Sequence, residues 1–218
     1  MSLCPYQWHS HRGVAESPEA LTRLLQNMNL ATDEGVLNLA GVLLFSERPE
    51  WIKPQFVVKA IRYPGNDIHA TTYLDTEDFA GPLAKAFADS LAFILRNLRK
   101  IQAGDGVNSP GTPEIGIAAF EELLVNALVH RDYLISAPIR LFVFDNRIEI
   151  ISPGHLPNNL TVEKIRTGNS NIRNPILGGR PRMPFSPISA LFPGNQCSQV
   201  SEDSDINYMA VLDFLKMP

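Results

Sequence analysis

The sequence predicts an α+β fold, and three observations indicate it. Two β-rich runs flank Asp145-Asn146 and predict a hairpin over residues 139–152, because two turn-forming residues between such runs are typical of a tight antiparallel connection. Apolar residues from Leu83 to Ile101 recur every three or four positions and predict the longest helix. The chain has 218 residues, 44% of them hydrophobic, so it is long and apolar enough to bury a core.

The first half of the chain predicts short elements of both kinds. Ser17-Pro18-Glu19 combines an N-cap with proline at the first helical position and predicts a short amphipathic helix. Leu37 to Phe45 forms a compact apolar element. Residues 56–63 are rich in β-branched and aromatic side chains and predict a strand, for which residues 70–74 are the predicted antiparallel partner.

The second half begins after a connector rich in turn-forming residues, Gly104 to Gly111. Thr112-Pro113-Glu114 has the pattern of a helix start and predicts a helix that ends near His130. We expect four parts: a tail or linker at 1–16, an N-terminal α/β part at 17–103, a core at 112–177 and an irregular tail at 178–218, where repeated prolines exclude a regular helix over most of the span to Gln199.

Charge and composition exclude several classes of protein. The net charge of -4 argues against binding of nucleic acid through an extended basic surface. Two cysteines in unlike contexts define neither a disulfide framework nor a zinc site, and they favour a reducing compartment. The sequence contains neither an apolar run of the roughly 18 residues that a membrane span needs nor a signal peptide, so we expect a cytoplasmic protein without a membrane partner.

A narrow polar stripe is predicted on the helix that ends near His130. Glu122, Asn126 and His130 fall within about 80° of one another on a helical wheel, between apolar flanks. A carboxylate among apolar neighbours needs a hydrogen-bond partner, a metal ion or water, since an unpaired buried charge costs several kcal/mol. A purely structural alternative stays open, in which the helix extends these groups to solvent or caps a nearby loop.

Several motifs around this helix occur in a specific order. They are Leu39–Phe45, Phe79–Leu83, Glu122–Tyr133, Arg147–Pro157 and Gly168–Pro175. Together they resemble the C-terminal region of the RecG-related transcriptional regulators, which are divergent relatives of the GHKL ATPases, the group of gyrase, heat-shock-protein-90 and the histidine kinases. The resemblance covers roughly residues 17–177.

The resemblance implies a GHKL-like two-layer α/β sandwich, with a mixed sheet and helices on one face, that binds ATP and magnesium. Glu122 would be the catalytic general base that polarises water, and Asn126 would hold the magnesium ion. Residues one helical turn apart point the same way and can serve one metal–phosphate cluster. The other expected nucleotide-binding positions are His130, Ser152, Gly154, Arg173 and Asn174.

Two of these motifs also have a structural interpretation. The GHKL group has Asp-x-Gly-x-Gly after the hairpin, and its aspartate accepts a hydrogen bond from the adenine amino group. This sequence has Ser152-Pro153-Gly154 at the corresponding place. Such a run is also typical of a turn that ends a strand. Asn174 and Pro175 are suited to start a helix whose N–H groups, with Arg173, could bind an anion; the alternative is a capped helix with a solvated arginine. Arg131 and Asp132 are expected to pair.

The function implied is that of a regulatory, ATP- and magnesium-binding domain of a bacterial-type transcriptional regulator. Its contact with DNA would come from an upstream module that has no counterpart in this sequence. The alternatives are a non-catalytic scaffold or homodimerisation domain that has lost nucleotide binding, and an enzyme in which His130 acts as a base beside Glu122. Whether ATP is hydrolysed stays open, and a helicase motor is not supported because the chain contains no Gly-Lys pair.

Overall fold

The computed structural model describes residues 17–98, 100–101, 112–113, 116–155, 171–178, 199–203 and 207–213. The helices in these ranges are α1 (Pro18–Asn27), α2 (Leu39–Phe45), α3 (Leu83–Asn97), α4 (Ile117–Val129) and α5 (Pro175–Gly178), with a 3-10 turn at Pro49–Trp51. The strands are β1 (Val58–Arg62), β2 (Asp75–Phe79), β3 (Lys100–Ile101), β4 (Thr112–Pro113), β5 (Ile139–Val143), β6 (Arg147–Pro153), β7 (Gln199–Asp203) and β8 (Asn207–Asp213).

One mixed sheet organises the fold. Among the described residues it has six strands in the order β2-β1-β5-β6-β8-β7, in which β1 and β5 are parallel and every other pair is antiparallel. Helices α3 and α4 pack against each other and against the central strands. The predicted α+β fold, a two-layer sandwich of a mixed sheet and helices, is confirmed.

Alternate residues of the central strands form the core that the helices cover. Val58 lies beside Ile139 in the parallel pair of β1 and β5, and Leu141 lies beside Ile150 in the β5–β6 hairpin. Neighbouring strands therefore present apolar side chains to the same face of the sheet. Helix α4 contributes seven buried residues to this layer: Phe120, Leu123, Leu124, Val125, Ala127, Leu128 and Val129. The core therefore fixes which side of α4 is available for function.

Several predicted elements are found where the sequence indicated them. The Ser17 side chain accepts a hydrogen bond from the Ala20 N–H at 3.2 Å and caps α1. The hairpin of β5 and β6 turns at Asp145-Asn146, where the Phe144 N–H donates to the Arg147 carbonyl at 2.9 Å. No helix in the described part of the chain is long and apolar enough to cross a membrane.

The return strand of the first hairpin lies further along the chain than predicted. The predicted partner, residues 70–74, lies in the loop before β2. Phe79 at the end of β2 is 3% exposed and packs edge-on against Phe93 at 5.8 Å, and this burial fixes the register. The rest of β2 is an acidic edge strand in which Asp78 pairs with Lys59 at 2.5 Å. Local strand propensity therefore indicated the wrong segment.

Helix α4 starts later than the sequence predicts. Thr112 and Pro113 form β4, which pairs with β3 and places Thr112 beside Ile101. The helix begins at Ile117, after the N-cap residue Gly116. The prediction of a helix start at Thr112-Pro113-Glu114 was wrong because the pairing with β3, which a local pattern does not contain, competes with helix formation.

The predicted irregular tail contains two strands. β8 pairs with β6, so that Ala210 lies beside Ile150, and β7 pairs with β8 at the edge of the sheet. The prolines excluded a helix but not strands beyond them, so the expectation of an irregular tail was wrong for residues 199–203 and 207–213. The tail at 1–16 and the connector at 104–111 lie outside the described residues, and the domain boundaries stay predictions.

Candidate functional site

Helix α4 presents the predicted polar stripe at a partly exposed position. Glu122, Asn126 and His130 are each half-buried, while the residues between them are all buried in the core. Successive members are four residues apart and so lie about 6 Å apart along the helix axis. The stripe is a short polar ridge between buried apolar side chains, as its spacing predicted.

Glu122 is an incompletely solvated carboxylate. Burial raises the pKa of Glu122 above its ordinary value, because apolar surroundings disfavour the charged form. Its side chain makes no hydrogen bond or ion pair with any residue in the described ranges. Such a carboxylate holds its proton closer to neutral pH than an ordinary glutamate does, which is the property that suits a general base.

Asn126 places an amide oxygen one turn further along α4. The backbone carbonyl of Asn126 accepts the last α-helical hydrogen bond from the His130 N–H at 2.9 Å, while its side chain makes no hydrogen bond within the described part of the chain. Amide and carboxylate oxygens are ligands that magnesium accepts. In the described part of the chain, no three His, Cys, Asp or Glu side chains lie together in a group that could hold a metal ion.

His130 is held at the end of the stripe by the chain segment before α5. Burial lowers the pKa of His130, a hydrogen bond to the Asn171 backbone raises it in part, and the neighbouring Arg173 cation lowers it further. The imidazole is therefore neutral at pH 7 and already bonded within the protein. This contact makes His130 a less available base than Glu122.

The end of α4 is capped by three side chains. The carbonyls of Ala127, Leu128 and Val129 follow the last α-helical hydrogen bond, and the end of a helix leaves such carbonyls without intrahelical donors. Donors at 2.7–2.8 Å satisfy all three: the Ser152 hydroxyl for Ala127, the Tyr133 hydroxyl for Leu128 and the Asn174 amide for Val129. We call these three donors the carbonyl cap.

The carbonyl cap includes two of the predicted nucleotide-binding residues. Ser152 is 2% exposed, and its only hydroxyl hydrogen is given to Ala127. The Asn174 amide also donates to the Arg131 carbonyl at 2.8 Å, and the Asn174 backbone carbonyl accepts the first hydrogen bonds of α5. These contacts explain both residues without a ligand, and Asn174 and Pro175 start a helix as predicted.

Gly154 lies at a close approach between the end of β6 and the residues after α4. Its φ is +116°, and a Cβ there would lie 2.6 Å from the Asp132 Cβ. The Asp132 N–H donates to the Pro153 carbonyl at 2.8 Å, which holds the two segments together. Glycine is therefore required at residue 154 by backbone conformation and by the contact with Asp132.

Arg173 has a protein partner where the sequence left a choice between an anion and solvent. Its guanidinium pairs with the Asp132 carboxylate at 2.9 Å and donates to the His155 carbonyl. Asp132 thus pairs with Arg173, and the expected pair with Arg131 was wrong. The resulting link joins the end of α4, the turn after β6 and the start of α5.

Sequence reasoning missed the structural role of Arg131. It is 2% exposed and donates to the Gln55 and Ala137 carbonyls, each at 2.7 Å, while its guanidinium lies 5.0 Å from the Tyr133 ring centroid and 5.5 Å from that of Phe56. These contacts fasten the end of α4 to the segments before β1 and β5. The only signal was the run His130-Arg131-Asp132-Tyr133 directly after an apolar helix.

Comparisons with known proteins agree with this fold. A model of the ATPase-like family described as "Putative ATP-dependent DNA helicase recG C-terminal" matches residues 136–180, which include the β5–β6 hairpin and Arg173-Asn174 but not α4. This match supports the resemblance to the RecG-related, GHKL-like ATPases. No curated protein matches the sequence.

A solved structure shows the same architecture. The DIP2311 protein from Corynebacterium diphtheriae superposes with a TM-score of 0.64 at 20% identity, over 88% of this chain and 40% of that one. This chain therefore spans less than half of that protein. At this identity the likeness shows the fold.

Proposed function

We propose that the α4 stripe binds a magnesium-chelated nucleoside triphosphate and that the chain is a regulatory domain. The observation that carries the proposal is the position of Glu122 and Asn126 on the same face of α4. These half-buried oxygen-bearing side chains lie one helical turn apart and make no hydrogen bond within the described residues. The match of residues 136–180 to an ATPase-like family supports a nucleotide as the ligand.

The two side chains have separate roles in this proposal. The Asn126 amide oxygen would hold the magnesium ion, which would supply positive charge beside the phosphates. Glu122, whose pKa is raised by burial, accepts a proton from water. Binding is the primary activity, and hydrolysis by Glu122 is secondary to it.

The regulatory part of the proposal concerns a longer protein. A nucleotide-dependent domain could control DNA binding by an upstream module, as the resemblance to RecG-related transcriptional regulators implies. The net charge of -4 is consistent with a DNA contact that lies elsewhere. This role is tested only with a protein that contains both parts.

Thermal unfolding with and without magnesium-ATP tests the ligand. A ligand at one hundred times its Kd adds about 2.7 kcal/mol to the free energy of unfolding. We expect this stabilisation to require magnesium, to be lost in Asn126→Ala and to persist in Glu122→Gln, with any hydrolysis lost in the latter.

Matched variants control for general effects on the fold. Glu121→Gln changes the neighbouring carboxylate on α4, and Asn66→Ala removes an exposed amide far along the chain. Both are expected to retain the magnesium-ATP stabilisation of the wild type. Equal loss of stabilisation in Asn126→Ala and Asn66→Ala would contradict the assignment of Asn126.

A non-catalytic scaffold is the second candidate, and a specific observation favours it. His130, Ser152, Arg173 and Asn174 are all engaged in contacts within the protein. On this account the same segment joins α4 to α5 and β6, and a homodimer is the expected assembly. No stabilisation by millimolar magnesium-ATP, with a dimer in sedimentation, would favour the scaffold.

A further inference from the structure

The turn that ends β6 uses its polar groups inside the protein. The Ser152 hydroxyl donates to Ala127 at 2.7 Å, and its remaining lone pairs are closed to a ligand because the residue is 2% exposed. Pro153 has no N–H, and its carbonyl accepts from the Asp132 N–H at 2.8 Å. Neither residue retains an accessible group that could read the edge of a base.

The next two residues complete this pattern. Gly154 has no side chain, and the space beside its Cα is filled by Asp132. The His155 carbonyl accepts from Arg173. The His155 side chain is exposed, but a ring that stacks on a base makes a similar contact with every base. Apart from the exposed ring of His155, the described residues of the turn therefore offer no hydrogen-bonding side chain that distinguishes one base from another.

We infer that the site recognises the magnesium-chelated polyphosphate chain of its ligand and does not discriminate between nucleobases. This inference rests on the proposed function of the α4 stripe. Adenine presents an amino group where guanine presents a carbonyl oxygen, so a site that bonds this position distinguishes the two by up to ~10⁴-fold. Within the described residues Glu122 and Asn126 keep oxygens without a hydrogen-bond partner, and such oxygens suit a metal ion, through which the phosphates would be held.

Calorimetric titration of the full chain with ATP, GTP and inorganic tripolyphosphate, each with magnesium, tests the inference. The expected result is three Kd values within about threefold of one another, all weakened in Asn126→Ala. ATP binding at least tenfold tighter than GTP or tripolyphosphate would overturn the inference while leaving the proposed function intact. Failure of all three ligands to bind would overturn both.

Ser152→Ala supplies a second readout. The inference predicts that this variant loses stability but keeps the wild-type ratio of the ATP and GTP Kd values, since the hydroxyl serves α4 and not the base. A tenfold change in that ratio would show that Ser152 reads the base. If the variant does not fold, the wild-type titrations still decide the question.

Discussion

Replacement of Ser152 by alanine tests the carbonyl cap most simply. The variant removes one hydrogen bond of 2.7 Å and leaves the Ala127 carbonyl without the donor seen in the structure. A lost hydrogen bond costs about 1 kcal/mol, and an unsatisfied buried carbonyl raises the total to about 2 kcal/mol. For a chain of this length that loss lowers Tm by roughly 4–8 °C.

Ser90 provides a matched control within the same core. It is fully buried on α3, and its hydroxyl has no hydrogen-bond partner in the described part of the chain. Ser90→Ala should therefore be neutral or stabilising, because it removes a buried hydroxyl that no hydrogen bond compensates for the loss of water. Thermal and urea unfolding followed by circular dichroism measure both variants. Equal changes in the free energy of unfolding for Ser152→Ala and Ser90→Ala would show that the hydrogen bond from Ser152 to Ala127 does not stabilise the fold.

Three further predictions concern charge and backbone at the site. Glu122→Gln should raise Tm relative to wild type at pH 7 but not at pH 4, because a raised carboxyl pKa gives stability that is complete below about 4.5 and is lost as pH rises through the folded pKa; Tm measured across this range checks it. Burial lowers the pKa of His130 in the folded protein, so the wild type should lose stability as pH falls below about 6.5. His130→Gln, which carries no ionisable group at this position, should lose less stability over the same pH range. A pH series of urea unfolding that matches the wild type would contradict this. Gly154→Ala should cost about 1–3 kcal/mol because its φ is +116° and the new Cβ meets Asp132, as denaturant unfolding will show.

Local patterns predicted the elements whose determinants are close in sequence. The two-residue turn at Asp145-Asn146 defines the β5–β6 hairpin, and the four-residue spacing of Glu122 and Asn126 defines their common helix face. Ser17 caps α1 from the adjacent residue. In these cases the residues that determine the element lie within a few positions of one another in the sequence.

Contacts between distant residues account for what the sequence did not predict. The position of β2 depends on the burial of Phe79 against Phe93, and not on strand propensity. The carbonyl cap brings Ser152 and Asn174 to α4 from 25 and 45 residues away. The resemblance implies a nucleotide-binding position at Ser152, with a turn that ends a strand as the alternative, and a local pattern does not contain its contact with the Ala127 carbonyl.

The most direct measurement follows the Asn126 side-chain amide in isotope-labelled protein by NMR during titration with magnesium-ATP. We expect a saturable shift of this signal that requires magnesium, while the Asn66 amide is unchanged. A signal of Asn126 that stays constant at millimolar magnesium-ATP would show that the α4 stripe does not hold the ligand.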